Sequence, residues 1–272
     1  MAGRAVAEGW LVLVVFNPKA GKRQAWRLWR VLDILVGSGV RTEVARTEHA
    51  GHATELASMA AARGGLVVAA GGDGTIAEVA AGLTGSAARL GVIPLGTANV
   101  FAHELGLPFA PREVAAALAF GRTRAVRPGL ALLGGQERLF VQMLGVGFDA
   151  QVVEHLPVRL KQAFGKSAYV MQGLRELLRY RYPPIQLRLD GIAHEAASVI
   201  VCKGRLYGGE HVLAAGADPA APGFAVVMFE GSGPLAALGY GAALPLGLLP
   251  RAPGLRFARA ARVEILTNTV LP

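Results

Sequence analysis

Cysteine is almost absent from the sequence, since Cys202 is the single one in 272 residues. One thiol excludes an internal disulfide framework and fits a reducing, cytoplasmic compartment. Charged residues are also sparse at 17%, whereas apolar residues reach 53%. This balance excludes an intrinsically disordered chain, because enough apolar material is present to bury a core. The length suits one large domain or two smaller ones.

Acidic residues are few, 19 against 28 basic ones, which gives a formal net charge of +9. A basic surface attracts nucleic acid, anionic lipid headgroups or polyphosphate ligands, and charge alone does not choose among them. No nucleic-acid-binding module is recognisable, so we expect no nucleic-acid partner. His49, His52 and His103 lack metal-ligand spacing with one another or with cysteine, which disfavours a zinc site.

Long apolar runs are also lacking. Trp10–Phe16 is too short to span a membrane and predicts a buried first strand that ends at Asn17. Residues 231–250 are uncharged but interrupted by glycine and proline. They predict a loop and a short helix that is buried or touches a membrane. A basic amphipathic stretch, Arg159–Arg181, suits an anionic membrane surface or an ordinary solvated helix face.

The first 120 residues alternate short apolar runs with helical patterns. Strands that alternate with helices predict a parallel sheet covered on both faces. The strands are predicted at residues 10–16, 41–46, 66–70 and 90–94, and the helices at 22–36, 50–63, 76–83, 98–105 and 111–120.

The pattern changes after about Val126, where short alternating or apolar segments between glycine and proline turns predict antiparallel strands. One helical insertion is predicted at 159–180. We therefore predict an α/β domain over residues 1–125 and a β-rich domain over 126–272. The antiparallel strands are predicted at residues 138–143, 185–189, 197–202 and 224–229.

Three predicted strands of the first half end in loops suited to close anion approach: Asn17–Lys22, Gly71–Thr75 and Pro94–Asn99. In an open parallel sheet, ligands bind beyond the carboxyl ends of the strands. Glycines let backbone N–H groups approach phosphate oxygens, and the following helices direct their positive ends to the same point. The glycine pattern is neither a Walker A loop nor a dinucleotide G-x-G-x-x-G. Three such loops in succession favour phosphate binding over simple connecting turns.

The side chains in these loops suit the same ligand. Thr75 and Thr97 add hydroxyl donors, and Lys22 adds a positive charge. Asp73 stands isolated among glycines and would repel a bare phosphate. We therefore expect a Mg²⁺ ion between Asp73 and the phosphate.

Taken together, the loops resemble the diacylglycerol kinase catalytic-domain family, which includes bacterial lipid kinases and sphingosine kinases. NPKAGK, GGDGTIAEV and PLGTAN are similar to its three N-terminal motifs, and LGVGFDAQVV and GRLYGGE to two later ones. The resemblance implies a doubly wound α/β nucleotide-binding domain followed by a mainly antiparallel β-sandwich. It also implies transfer of the γ-phosphoryl group of ATP, with Mg²⁺, to the hydroxyl of a lipid such as diacylglycerol.

The resemblance also implies a set of site residues and a cellular setting. We expect a cytoplasmic enzyme of phospholipid biosynthesis, peripheral at the inner face of an anionic membrane, with its acceptor lipid and oligomeric state left open. Asp73 is the expected metal ligand. The implied nucleotide-binding residues are Asn17, Gly21, Lys22, Thr47, Gly71, Gly72, Asp73, Gly74, Thr75, Gly96, Thr97 and Asn99.

The sequence departs from the family pattern at one place that bears on catalysis. Family members end with an Asp-Gly-Glu segment that carries the proposed catalytic base, whereas this chain ends at VEILTNTVLP, so no catalytic residue is assigned. Asp149 is the nearest matched carboxylate, and we expect it to be structural or close to the nucleotide. Two alternatives stay open: a truncated or degenerate member that binds nucleotide or lipid without catalysis, and an NAD kinase-like enzyme.

Smaller departures occur in both halves, and two of them lie in the second half. Lys203 stands where asparagine is frequent in the family, and Ala221-Pro222-Gly223 stands where Asp-Gly is usual. The second change removes a carboxylate, which argues against an accessory magnesium site there. Asp190 and Asp218 lie in turn-like contexts that favour solvated side chains.

Overall fold

The computed structural model describes residues 11–20, 24–157 and 166–266. Contacts divide the chain into two compact units. Unit 1 comprises the described residues up to Ala125 together with Ala131–Leu139, and unit 2 comprises Val126–Leu130 and the described residues from Phe140 onward. A two-stranded hairpin formed by β5 (Gly129–Leu133) and β6 (Gln136–Phe140) is divided between them.

Unit 1 contains a four-stranded sheet in the order β2-β1-β3-β4, and every neighbouring pair is parallel. β3 has the sequence LVVAAG, and all six of its residues are buried. A nearly continuous apolar run is expected for a parallel strand that is covered on both faces. The strands are β1 (Leu11–Phe16), β2 (Arg41–Arg46), β3 (Leu66–Gly71) and β4 (Arg89–Pro94).

Helices cover both faces of this sheet. α1 and α5 share a core with β1, because the buried face of α1 repeats every three to four residues and meets Val12 and Val14. α2 and α3 pack against each other beside β3, where Gly82 of α3 lies too close to the backbone of Thr54 to admit a side chain. The doubly wound α/β prediction is confirmed. The helices are α1 (Ala25–Gly37), α2 (His52–Ala61), α3 (Asp73–Leu83), α4 (Val100–Glu104) and α5 (Pro111–Phe120).

The start of α3 differs from the prediction. The helix was expected to begin at Ile76, after a glycine-rich loop, but it begins at Asp73, with Gly72 as its N-cap residue in extended conformation. Glycine lowers helix propensity, yet N–H groups in the first turn have no partner within the helix, and an aspartate there is favoured by the helix dipole. The motif Gly71–Thr75 is therefore mostly the first turn of a helix.

Unit 2 contains two antiparallel sheets that enclose a common core. A four-stranded sheet has the order β14-β13-β10-β7, and a three-stranded sheet has the order β15-β8-β9. β8 has the sequence IQLRL with alternate residues buried, so Ile185, Leu187 and Leu189 face Val199 and Met228 in the core. The β-sandwich prediction is confirmed. The strands are β7 (Met143–Gly147), β8 (Ile185–Leu189), β9 (Ile192–Ala196), β10 (Ser198–Cys202), β13 (Phe224–Phe229), β14 (Leu255–Ala260) and β15 (Val263–Ile265).

Short elements complete unit 2. β11 (Leu206–Tyr207) and β12 (His211–Val212) form a small ribbon. α6 (Phe148–Glu154) follows β7, and α7 (Lys166–Glu176) corresponds to the later part of the expected helical insertion. Residues 158–165 of that insertion lie outside the described residues.

The single strand predicted at 138–143 is wrong, because the chain forms two strands there. β6 ends at Phe140 and β7 begins at Met143. Between them the carbonyl oxygen of Gln142 accepts hydrogen bonds from the N–H groups of Lys203, at 2.7 Å, and Gly204, at 3.3 Å. Val141 and Gln142 are both buried. The sequence RLFVQM over residues 138–143 contains no glycine or proline to mark the break, so its pattern is that of one continuous strand.

The uncharged segment 231–250 forms α8 (Pro234–Ala243), and a 3₁₀ turn, Leu249–Arg251, follows it. None of the ten residues of α8 is buried. The short helix that the sequence predicted is therefore present, but on the surface. Within the parts of the chain that the structure describes, no helix is both long enough and apolar enough to cross a bilayer.

Candidate functional site

The three motif loops of unit 1 lie side by side at one edge of the sheet. They follow β1, β3 and β4, which are neighbours in the sheet, so their carboxyl ends meet. Main-chain hydrogen bonds continue the ladder into the loops, from the N–H of Asn17 to Ala70 O at 3.1 Å and from the N–H of Leu95 to Gly71 O at 2.9 Å. Each loop therefore has a fixed position at the sheet edge.

Asn17 ties the first loop to α3. Its side-chain Nδ2 donates a hydrogen bond to Oγ1 of Thr75 at 3.0 Å, and its Oδ1 accepts one from the N–H of Lys19 at 2.9 Å. Thr75 is buried in the first turn of α3. A Cβ atom at Gly71 would lie 2.5 Å from that same Oγ1, so the threonine can occupy this position only beside a glycine.

The second and third loops touch through their backbones. A Cβ atom on Gly96 would lie 2.5 Å from Cα of Gly72, and one on Gly72 would lie 3.2 Å from Cα of Gly96. Gly96 is therefore required by the packing of protein against protein, and a side chain on Gly72 would make a tight contact with the same loop. Gly74 differs, because a Cβ atom there would meet nothing within 4 Å. Its missing side chain leaves open space at the N-terminus of α3.

Asn99 closes the third loop. It has left-handed backbone angles, with φ at 48°, and it is buried. Its Oδ1 accepts the N–H of Gly96 at 2.8 Å, while its Nδ2 donates to the carbonyl of Gly96 at 2.9 Å. Asparagine tolerates left-handed angles better than most residues, which explains this residue type here. The side chain thus holds the turn in shape.

Asp73 connects α3 to α4. Its Oδ1 accepts a hydrogen bond from the N–H of Phe101 at 2.9 Å, in the first turn of α4. The carboxylate satisfies one of the N–H groups that α4 leaves without a helical partner. The hydrogen bond engages one oxygen of the half-buried carboxylate. The sequence motif gave no sign of this capping contact, which joins residues 28 positions apart.

The remaining predicted residues are placed as follows. Thr47 is half-buried, and its N–H donates to the carbonyl of Phe16 at 2.9 Å, so it lies beside the end of β1. Thr97 is half-buried within the third loop. Gly21 and Lys22 lie outside the described residues. The structure brings together by direct contact Asn17, Gly71, Gly72, Thr75, Gly96 and Asn99, with Asp73 joined to α4 beside them.

A second candidate region is a cavity of about 420 Å³ within unit 2. Its walls come from α6, α7, β10 and α8 and are mainly apolar. Asp149 of α6 and Tyr207 of β11 stand on the same wall, where the Tyr207 hydroxyl donates to Oδ1 of Asp149. Gly145 has no side chain that would collide with the carboxyl of Asp149, which folds back over β7.

The cavity wall alters both ionisable groups. Desolvation raises the pKa of Asp149, and the hydrogen bond from Tyr207 opposes this rise in part. The pKa of Tyr207 lies well above its ordinary value because of desolvation and the neighbouring carboxylate of Asp149. The two residues come from the separate GVGFDA and YGG motifs, and only the fold shows that these motifs meet.

Three donor side chains at the start of α2 also lie close together. Ligand atoms of His49, His52 and Glu55 are within 4.8 Å of one another, and the two imidazole rings are stacked. The spacing of the histidines with one another and with cysteine gives no sign of this group, because its third member is Glu55. However, Nδ1 of His52 accepts the N–H of Glu48 at 3.2 Å, and a helix N-terminus disfavours a cation. These contacts favour a role in ordering the turn.

Comparison with known proteins accounts for both units. A family model described as "Diacylglycerol kinase catalytic domain" matches residues 11–131. A second, described as "YegS C-terminal NAD kinase beta sandwich-like domain", matches residues 142–272.

Individual relatives agree with these matches. A diacylglycerol kinase of Bacillus subtilis is 34% identical over 183 residues, which are 65% of this chain and 59% of that protein. A "Probable lipid kinase YegS-like" protein of Cronobacter sakazakii is 34% identical over 207 residues, 74% of this chain and 68% of that protein. The chain spans about three fifths of the length of the first relatives that it matches, 59% and 60%.

The fold is also found in a crystal structure from Bacillus anthracis, described there as a candidate diacylglycerol kinase. It aligns with 99% of this chain and 88% of that one at a TM-score of 0.76 and 22% identity, a level that supports the fold alone. The motifs, the fold of both units and the matched relatives lead to one conclusion. The chain belongs to the diacylglycerol kinase catalytic-domain family.

Proposed function

We propose that this protein is an ATP-dependent lipid kinase, which transfers the γ-phosphoryl group of ATP to the hydroxyl of a lipid such as diacylglycerol. The observation that carries the proposal is the open N-terminus of α3, where Gly74 leaves space beside Asp73 at the meeting point of three loops. The apolar cavity of unit 2 supports a lipid as the acceptor. Membership of the kinase family is consistent with both assignments.

The nucleotide phosphates would occupy the space at the start of α3. The first-turn N–H groups of this 11-residue helix have no helical partners and carry the positive end of its dipole. These features favour a polyanion. Gly71, Gly72 and Gly96 hold the loops together, while Gly74 keeps the approach open. The proposed nucleotide set remains Asn17, Gly21, Lys22, Thr47, Gly71, Gly72, Asp73, Gly74, Thr75, Gly96, Thr97 and Asn99.

The residues present fit a magnesium ion. Mg²⁺ is usually bound by one or two carboxylates together with substrate phosphates and waters. Asp73 offers such a carboxylate, since capping of α4 engages its Oδ1 and the second oxygen would serve the metal. A bound Mg²⁺ would neutralise charge on the nucleotide phosphates. The hydrogen bond to Phe101 would keep the aspartate in one orientation before the metal arrives.

The acceptor lipid would bind in the cavity of unit 2. A volume of about 420 Å³ lies within the range of small-molecule pockets, and the mainly apolar wall suits an acyl chain. The Asp149–Tyr207 pair would meet the polar end of such an amphiphile by hydrogen bonding. Positioning and charge neutralisation account for most catalysis in phosphoryl transfer. The Asp149–Tyr207 pair would contribute to the positioning of the acceptor. The catalytic base stays unassigned, and the Asp-Gly-Glu expectation stays a prediction.

The test is incorporation of label from γ-labelled ATP into mixed diacylglycerols in detergent micelles with Mg²⁺. Asp73→Asn is the matched control, because an amide oxygen still accepts the Phe101 N–H while the metal-binding charge is lost. We expect labelled lipid from the wild type and at least about 100-fold less from the variant, a loss of about 2.7 kcal/mol of transition-state stabilisation.

Three results would contradict or redirect the proposal. Equal labelling by the wild type and Asp73→Asn would contradict it. Nucleotide-dependent thermal stabilisation without any phosphoryl transfer would instead support a member that binds without catalysis, and phosphorylation of NAD would support the soluble-acceptor alternative.

A further inference from the structure

The turn that precedes β13 in unit 2 is closed by a buried lysine. Lys203 directly follows β10 and is only 3% exposed. Its Nζ donates hydrogen bonds to the carbonyl oxygen of Ala221 at 2.7 Å and to that of Gly223 at 2.8 Å. Its backbone N–H donates to the carbonyl of Gln142 at 2.7 Å, so the residue is held at both ends. Since a buried ammonium is costly unless polar atoms meet its charge, the two carbonyls act together as a receptor for one positive charge.

The preceding part of the same loop also meets a side-chain cation. Nη2 of Arg259 on β14 donates to the carbonyl oxygen of Gly216. The carboxylate of the loop has a different task, because Oδ1 of Asp218 accepts the N–H of Ala220 at 3.0 Å. Residues 216–223 therefore present carbonyl oxygens to cations that the protein itself supplies.

Two further charges act on the buried amine. Desolvation lowers the pKa of Lys203, the charge of Arg127 lowers it further, and the charge of Asp218 raises it. The N–H of Arg127 donates to the carbonyl of Pro219 at 2.8 Å, which holds this segment against the turn. Asp218 is exposed, where water screens its charge. The carbonyls of Ala221 and Gly223 are therefore the direct partners of the ammonium.

The residues of this turn do not fit an accessory magnesium ion. Mg²⁺ is usually held by one or two carboxylates and requires oxygen ligands at about 2.0–2.1 Å in near-octahedral geometry. The family pattern has Asp-Gly here, whereas Ala221 and Pro222 carry no ligand side chain. Nζ of Lys203 lies within hydrogen-bond distance of both carbonyls, so it occupies their shared space and would repel a divalent cation.

We propose that the ammonium of Lys203 is a built-in cation that takes the place of a divalent metal ion in this turn. Unit 2 then keeps its fold without magnesium, and the metal requirement of the protein is confined to the proposed nucleotide site of unit 1. This assignment is independent of the proposed kinase activity, because it concerns the stability of unit 2. A double substitution should reverse it: Lys203→Asn removes the ammonium, and Pro222→Asp supplies the Asp-Gly pair of the family pattern.

The test is thermal denaturation of the full-length protein without nucleotide, in EDTA, in Mg²⁺ and in Ca²⁺ at matched ionic strength. Asp73→Asn serves as the background for every variant, so that the proposed metal ligand of unit 1 does not contribute. We expect the background protein to unfold at the same temperature in all three solutions. With Lys203→Asn and Pro222→Asp added, the midpoint should fall in EDTA and rise again by about 3 °C or more with metal, because the metal binds the folded state.

The matched control carries Lys203→Asn and Pro222→Asn, since the amide has the shape of the carboxylate without its charge. Its midpoint should be low and should not respond to metal. A metal-dependent midpoint in the background protein overturns the proposal, because unit 2 would then hold a metal in spite of Lys203. An equal response of the two double variants, or a response in neither, also overturns it.

A direct titration applies even where the double variants do not fold. Mg²⁺ is titrated by calorimetry into the folded Asp73→Asn protein without nucleotide. We expect only the heat of dilution. A saturable magnesium site in this protein overturns the proposal.

Discussion

The candidate sites of the two units are constructed in different ways. In unit 1 the site consists of short contiguous motifs at one sheet edge, with the backbones of Gly72 and Gly96 so close that glycine is required at position 96. In unit 2 the cavity is lined by residues spread from Phe148 to Leu249, and its walls are mainly apolar side chains. The difference teaches that the proposed phosphate site depends on backbone, which local sequence specifies. The proposed lipid site depends on the shape of a cavity, which requires the whole fold.

The largest effect should come from breaking the backbone contact in unit 1. Gly96→Ala would place Cβ 2.5 Å from Cα of Gly72, and backbone atoms cannot move aside cheaply. We expect a loss of about 2–4 kcal/mol in the free energy of unfolding, measured by urea denaturation. Gly74→Ala is the matched control, because open space surrounds it, and its stability should stay equal or rise. Equal losses in both variants would refute the packing role of Gly96.

The next largest effect should come from unit 2, at a buried amine. Nζ of Lys203 donates to the carbonyls of Ala221, at 2.7 Å, and Gly223, at 2.8 Å, and the residue is 3% exposed. Lys203→Met would leave both carbonyls without this donor, and we expect a loss of about 2–4 kcal/mol in unfolding free energy. Arg188→Met, on an exposed position of β8, is the control and should change stability little. An unchanged midpoint for Lys203→Met would show that the ammonium does not hold this turn.

A smaller effect should come from the side-chain tie between loops in unit 1. Asn17→Ala removes the 3.0 Å hydrogen bond to Thr75, and this bond is only partly buried because Asn17 is half-buried. We expect a cost of about 0.5–1.5 kcal/mol in unfolding free energy together with weaker nucleotide binding. Thermal denaturation with and without Mg–ATP checks both. If Asn17→Ala keeps both the stability and the nucleotide affinity of the wild type, Asn17 lies outside the site.

The smallest effect should be a pH dependence in unit 2. The pKa of Asp149 is raised in the folded protein by desolvation, so its contribution to stability is present below its ordinary pKa near 3.8 and is lost as pH rises through the folded value. Asp149→Asn cannot ionise and escapes this loss. The unfolding free energy of the variant relative to the wild type should therefore improve as pH rises from about 4 towards neutrality. A difference that is constant with pH would contradict the desolvation.

The sequence anticipated much of unit 1 because its signals are local. β2 and α5 were predicted with their observed ends, Arg41–Arg46 and Pro111–Phe120. Gly39 precedes β2, and Pro111 and Gly121 mark the two ends of α5. The start of α3 was missed because glycine has a low helix propensity, so the glycine-rich motif predicts a loop. In the structure Asp73 lies in the first turn of the helix, where the helix dipole favours it. The capping of α4 by Asp73 was missed because it joins distant segments.

Unit 2 was less predictable for the same physical reason. The alternation of buried and exposed residues in β8 identified a half-buried strand. By contrast, the break at the buried residues Val141 and Gln142 has no turn signal in the sequence, so one continuous strand was predicted there. The meeting of Asp149 with Tyr207, 58 positions apart, depends on how β7, α6 and β11 pack. The exposure of α8 was equally hidden, because an uncharged sequence is compatible with burial or with a surface that meets lipid.

The nucleotide site is the central claim, and Mg–ATP titration of Gly74→Ala by calorimetry tests it most directly. The methyl group would occupy the open space at the N-terminus of α3 without disturbing the packing of the loops. We predict that the folded variant binds Mg–ATP at least about tenfold more weakly than the wild type, a difference of about 1.4 kcal/mol. Unchanged affinity in a stably folded Gly74→Ala protein would contradict the placement of the nucleotide at this helix.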